Sequence, residues 1–235
     1  MHRQLVRAIS EGDVSSAEKL WDKVSQSDIQ RNLNVLYDAA VLSGNKDMVL
    51  FLWNKKGVPV NYYEGAPLVY LCCKIKQTRG SKRQNQLDMV RFLIRSGINV
   101  NARGGDPCVA AARNGDLELL QILVSRGGNP RAQGDHGLIL ASSNGHPDVV
   151  EYLLSKGADP NVDNGAPISF AASEGHVDCA RLLVAHGADV NINDSACLEL
   201  AEENSHWSMI KFLVEQGCSE DLIQYEDTFD RLEEV

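Results

Sequence analysis

The chain has 235 residues, 43% of them hydrophobic, and a formal net charge of −9. That length and apolar content supply a continuous core, and the acidic balance works against a polyanion as the main partner. No apolar run approaches the ~18 residues of a membrane span, and Met1-His2-Arg3-Gln4 opens an amphipathic stretch rather than an apolar run, so neither a membrane span nor a signal peptide is expected.

In residues 1–33, Leu5, Ala8, Ile9, Gly12, Ala17, Leu20 and Trp21 keep helical spacing, while Arg3, Arg7, Glu11, Glu18 and Lys23 supply a polar face. This pattern predicts an N-terminal capping unit. Beyond it, Gly97, Gly127, Gly157, Gly187 and Gly217 stand 30 residues apart, a period that marks stacked helical repeats. Each follows an apolar run: Leu93-Ile94, Ile122-Leu123-Val124, Leu153-Leu154, Leu182-Leu183-Val184 and Phe212-Leu213-Val214. Each glycine therefore reads as a left-handed C-cap. Sixteen residues before it stands a small residue, Ala111, Ala141, Ala171 or Ala201, suited to the close crossing of two helices, and Gly115, Gly145 and Gly175 mark the turn between them.

The repeating order is helix, turn, helix, glycine, loop. It divides the chain into repeats at 34–63, 64–103, 104–133, 134–163 and 164–193, with a closing repeat at 194–218 in which Ser205 replaces the turn glycine. The fold expected is an all-α solenoid.

The second central repeat is ten residues longer than the rest, and the excess falls between its helices at 74–86. That run carries Lys74, Lys76, Arg79, Lys82 and Arg83 with no acid, and without those five charges the remainder would stand at −14. Either an extended first helix or a mobile loop is expected there. Three readings fit the basic run: a solvated loop, a dock for an acidic protein surface, and contact with nucleic acid phosphates. The surrounding −14 repels a polyanion, which places nucleic acid last. From 219 to 235 there are seven acids against Arg231, and Leu222, Tyr225, Phe229 and Leu232 keep helical spacing, so an acidic C-terminal helix or tail is expected over the end of the stack.

Cys72, Cys73, Cys108, Cys179, Cys197 and Cys218 mostly fall where other repeats place apolar residues and read as reduced core thiols in a cytosolic setting. No C-x-x-C or H-x-x-x-H spacing suggests a metal. No nucleophile elbow, phosphate loop or H-E-x-x-H occurs either. The expectation is therefore a protein without catalytic residues, metal or cofactor.

The stretches Asn144-Gly145-His146-Pro147-Asp148-Val149-Val150-Glu151-Tyr152-Leu153-Leu154 with Gly157-Ala158-Asp159-Pro160-Asn161, and Glu174-Gly175-His176 with Gly187-Ala188-Asp189-Val190-Asn191, resemble ankyrin repeats, and the resemblance covers residues 1 to about 218. The repeat is shorter than the family's ~33 residues, with the deficit in the loop, so the projecting hairpin fingers are expected to be short or reduced to simple loops. The family's opening survives as Ala66-Pro67-Leu68, Asp106-Pro107-Cys108 and Ala166-Pro167-Ile168. His146, His176 and His206 fall where the family commonly uses histidine for local hydrogen bonding.

The resemblance implies partner contact along a concave face of loops and first helices. On this chain those positions are Tyr62, Tyr63, Arg103, Gln133, Asp135, Asp163, Asn193 and Asp194, with Arg113, Ser143, Ser173, Glu174 and Glu203 on first helices. Tyr62, Tyr63, Arg103 and Arg113 form the candidate anchor cluster, since tyrosine and arginine are enriched at interface hot spots. The function implied is a monomeric adaptor or stoichiometric inhibitor that binds another protein in the cytosol, or in a host's cytosol for a viral or secreted factor.

Overall fold

The computed structural model describes residues 2–75 and 79–218 and holds fifteen helices and no strand among them. They fall into two compact units, one of residues up to 107 with 122–128, the other of 108–121 with residues from 129 onward. In chain order the helices are α1 His2–Glu11, α2 Val14–Trp21, α3 Gln26–Arg31, α4 Leu33–Ser43, α5 Lys46–Leu50, α6 Tyr62–Lys74, α7 Gly80–Arg95, α8 Ala102–Arg113, α9 Leu117–Val124, α10 Ala132–Ser143, α11 Pro147–Ser155, α12 Val162–Ser173, α13 Val177–Ala185, α14 Ile192–Glu203 and α15 Trp207–Glu215. Within the first unit α1, α4 and α6 pack side by side. In the second, α10, α12 and α14 form one layer and α11, α13 and α15 another, the arrangement of stacked helix pairs.

The period-setting glycines terminate helices by the expected chemistry. Gly157 has φ +83, its N–H donates to Leu154 O at 2.9 Å, and the next N–H, of Ala158, reaches Leu153 O at 3.1 Å. This paired closure satisfies carbonyls that the helix end would otherwise orphan, and it recurs at Gly97, Gly187 and Gly217. One helix departs from the pattern. From Gly44 to Gly57 is thirteen positions, against twelve from Gly115 to Gly127, and the extra residue is absorbed as a π-helical segment, Phe51–Lys55, continuing α5.

In place of hairpin fingers, the loops are single left-handed turns. Three consecutive residues take positive φ at Tyr63-Glu64-Gly65, Arg103-Gly104-Gly105, Gln133-Gly134-Asp135, Asp163-Asn164-Gly165 and Asn193-Asp194-Ser195. A left-handed residue with a β-carbon costs ~1–2 kcal/mol, which accounts for the glycine, asparagine and aspartate in these triplets and leaves Tyr63, Glu64, Arg103, Gln133 and Ser195 as the strained members.

The long repeat also differs from expectation. α6 does not extend through the insertion: the right-handed helix that starts at Ala66 gives way after Lys74, whereas α7 begins at Gly80 and runs 16 residues, against 9 in α11 and α13. The inserted residues lengthen the second helix because its new turns find something to pack on. Gln86 is 2% exposed and donates through Nε2 to Leu42 O at 3.4 Å, and Asn85 lies against the Gly44 turn. Lys76 and the acidic segment 219–235 lie outside the described residues.

Candidate functional site

The first residue of each left-handed turn projects outward, and these are the loop positions singled out in the sequence: Tyr63, Arg103, Gln133, Asp163 and Asn193 are all exposed. Asn164 and Asp194 continue the exposed rim. On the first helices of the second unit, Arg113, Glu174 and Glu203 are exposed, and Ser143 and Ser173 are half-buried.

Asp135 does not belong with them. It is 3% exposed, takes Arg131 Nε and Nη2 at 3.0 and 2.9 Å, and accepts the backbone N–H of Asp159 at 3.1 Å. The neighbouring loops explain why. Asn161 bridges forward to the next loop, donating Nδ2 to Gly187 O at 2.9 Å and accepting Asp189 N–H on Oδ1 at 2.8 Å. Asn61 does the same with Gly97 O at 3.1 Å and Asn99 N–H at 2.6 Å. The corresponding residue in this loop is Arg131, which cannot accept, so Asp135 turns inward to supply the acceptor. Asp135 is thus a structural clamp, and arginine at the asparagine position was the signal for it.

His146 and His206 bond between repeats rather than locally. His206 Nε2 lies 3.0 Å from Ser173 O and His146 Nε2 lies 3.2 Å from Arg113 O, the imidazole donating in each case because a carbonyl can only accept. In the first unit Asn45 plays this part, donating Nδ2 to Gly12 O at 2.9 Å.

Three of the four candidate anchors gather in the first unit. Arg103 carries its guanidinium 5.5 Å from the Tyr63 ring centre, Tyr63 lies 6.3 Å from Tyr62, and Tyr62 lies 6.1 Å from Tyr37. The series continues inward through Trp53 at 6.4 Å to Phe92, stacked at 5.5 Å. Tyr37 is fixed at both sides of its hydroxyl, which accepts Trp53 Nε1–H at 2.6 Å and donates to Val60 O at 3.2 Å; burial pushes its pKa up to about 12. An exposed Tyr63–Arg103 pair is therefore mounted on a rigid aromatic column, while the fourth anchor, Arg113, belongs to the second unit.

Beside this column the surface is hollowed. A 260 Å³ slot between α4 and α6 is lined by Asp38, Tyr62, Tyr63, Tyr70, Cys73 and Arg103 among others. A broader 670 Å³ groove, with Val35, Leu42, Tyr70 and Lys82 on its walls, shares Asp38 with it. Val35 is 46% and Tyr63 63% exposed, unusual for large apolar side chains. Asp38 is half-buried, no hydrogen bond or ion pair reaches its carboxylate among the described residues, and burial pushes its pKa up to about 6. Sequence reasoning missed it; the same position holds Val69, Val109 and Ile139 in the next three repeats but Ser169 and Glu199 in the last two, so the pattern does not set Asp38 apart.

The basic insertion borders the groove. Lys82 is on its wall, Lys74 holds its ammonium 5.7 Å from the Tyr70 ring centre, Arg79 is exposed ahead of α7, and Arg83 is half-buried on it. All six cysteines are thiols, five buried and Cys73 exposed, and burial pushes the Cys108 and Cys179 thiols up to about 12 and about 11, away from reactivity. Among the described residues no His, Cys, Asp or Glu side chains gather in threes as a metal ion would require, and no helix is long and apolar enough to cross a membrane.

The model of a protein family described as Ankyrin repeats (3 copies) matches residues 79–164 and 138–224, together well over half of the chain. No curated protein matches it.

Proposed function

The chain belongs to the ankyrin-repeat family, and from that premise we propose that it is a non-enzymatic adaptor or stoichiometric inhibitor, binding one protein partner through its left-handed turns and first helices. Ankyrin repeats are protein–protein interaction modules. The observation that carries the reading is Tyr63: a large aromatic residue 63% exposed, in a left-handed conformation that it adopts at a cost, and covered by the Arg103 guanidinium. Strained residues persist where the surrounding structure holds them for use, and a tyrosine–arginine pair is the composition of an interface hot spot. Within the second unit, Gln133, Asp163, Asn193 and Asp194 are the corresponding exposed turn residues, with Arg113, Ser143, Ser173 and Glu174 at the first helices. The protein acts as a monomer in the cytosol, or in a host's cytosol.

The test is capture from native lysate by the full chain and by a Tyr63→Ala/Arg103→Ala variant. Tyr62 is left in place because it packs on Tyr37. Loss of one specific protein with the variant supports the reading, and an unchanged set of captured proteins refutes it.

The alternative is nucleic acid bound through Arg79, Lys82 and Arg83, with Lys74 and Lys76. It rests on the exposure of Arg79 and Lys82 at the start of α7, where the helix dipole adds to their positive charge. Phosphate contacts lose affinity steeply as salt rises, more steeply than a protein interface that combines tyrosine packing with a few ion pairs, so the slope of binding against salt separates the two.

A further inference from the structure

The slot between α4 and α6 has a composition of its own. Its volume, 260 Å³, is below the ~300–1,000 Å³ of sites for drug-sized molecules and suits a single long side chain. It places tyrosine rings, from Tyr62 and Tyr70, around one carboxylate, Asp38, that lacks an ionic partner among the described residues. Aromatic faces and a lone, partly desolvated carboxylate both attract a cation, and a planar guanidinium satisfies both by stacking on a ring while its fork meets the two carboxylate oxygens.

The rim has the opposite sign. Arg103, at the start of α8, lines the slot itself, Lys82 on α7 lines the adjoining groove that shares Asp38 and Tyr70, Lys74 on α6 lies 5.7 Å from the Tyr70 ring centre, and Glu64 is the one acid on the adjacent turn. From α1 the groove receives Val6 and Ser10, with the Arg7–Glu11 ion pair on the same helix. A bare cation approaching Asp38 would meet three positive charges, so it has to arrive with carboxylates beside it.

Resting on the reading above that this surface binds a protein, we infer that the slot receives an arginine of the partner, its guanidinium on Asp38, with acidic residues flanking that arginine to meet Lys74, Lys82 and Arg103. The signature sought in the partner is an arginine set among glutamates or aspartates, presented as a helix or an extended segment. The insertion then has a definite role, because lengthening α7 brings Lys82 to the wall of the groove that Asp38 floors.

The experiment is display selection of random peptides on the full chain, followed by affinity measurements on the selected peptides with wild type, Asp38→Asn and Tyr63→Ala. The expected result is a consensus with arginine flanked by acids, whose affinity falls about tenfold or more in Asp38→Asn. Replacing the peptide's arginine by glutamine gives the same loss, and affinity declines as pH drops below about 6, where Asp38 must shed a proton to bind. A thermal melt confirms that Asp38→Asn is folded. Peptides that lose affinity in Tyr63→Ala but not in Asp38→Asn overturn the arginine slot and leave the protein-binding surface standing. Peptides indifferent to both substitutions, or an empty selection, overturn the slot as well, and the lysate capture then decides the surface separately.

Discussion

A β-carbon on Gly145 would sit 2.6 Å from Cε1 of His176, because the imidazole of one repeat lies against the turn of the repeat before it. The same approach occurs at 2.5 Å between Gly115 and His146 Nδ1 and at 2.7 Å between Gly175 and His206 Nδ1. Gly157 also has positive φ, but nothing lies within 4 Å of its missing side chain. Gly145→Ala therefore suffers twice, in backbone strain and in overpacking, and should cost about 2–4 kcal/mol, whereas Gly157→Ala meets the backbone strain alone, about 1–2 kcal/mol. Urea melts measure both, and His176→Ala in the Gly145→Ala background should recover part of the excess. Equal costs for the two glycines would refute the contact.

Asp135→Ala removes the acceptor for Asp159 N–H and the partner of Arg131, and should destabilise the second unit by about 1.5–3 kcal/mol. Asp135→Asn keeps an acceptor oxygen and should cost less. The double variant Arg131→Asn/Asp135→Gly reproduces the chain's own pairing at Asn161 and Gly165, and its melting point should return close to wild type. A double variant no better than Asp135→Ala would show that the clamp is not interchangeable.

Asp38 gives stability a pH dependence of unusual sign for a carboxylate. Its folded pKa of about 6 lies above the ~3.9 of an unfolded chain, so the folded state holds the proton more tightly across that window. Stability tied to this group is fully present below pH ~4 and is lost as pH rises through 6. Asp38→Asn removes the loss and, discounting for the residue's partial exposure, should stabilise the protein by about 1–2 kcal/mol at pH 7 and by nothing measurable at pH 4. Denaturant melts at the two pH values decide it; equal effects at both would show that the carboxylate is not desolvated.

Glu64 is exposed at φ +58 in the middle of a left-handed turn, and no hydrogen bond or ion pair holds its side chain among the described residues. Glu64→Gly should stabilise by about 0.5–1 kcal/mol, and Glu64→Val, whose branched β-carbon suits that region worst, should destabilise by about 1–2 kcal/mol. Thermal melts that rank the two the other way would remove the strain argument.

The glycine period was legible because φ beyond +60° leaves the sequence little choice of residue, and one such position per repeat imposes a visible rhythm. Tyr63 and Arg103 were singled out by residue type, as tyrosine and arginine at the family's loop positions; their left-handed backbone was not visible in the sequence, because neither residue favours it. Asp135 misled because an acid in a polar loop looks solvated, and only its place four residues after an arginine, where other loops carry asparagine, hinted that it was needed inside. The direction of the insertion was hidden as well. A basic run has no apolar stripe to declare itself helical, and what orders α7 is tertiary, the burial of Gln86 against the Leu42 carbonyl.

The loop clamps all point one way along the chain. Asn61 receives the N–H of Asn99, Asp135 that of Asp159, and Asn161 that of Asp189, so each acceptor precedes its donor in sequence. During synthesis the receiving side chain leaves the ribosome first and is already seated in its repeat when the next loop arrives. Each clamp thus sits on a repeat made before the loop it holds, and a chain stopped at a repeat boundary leaves the last asparagine with both its Nδ2 donor and its Oδ1 acceptor turned to water, an edge ready for a further loop.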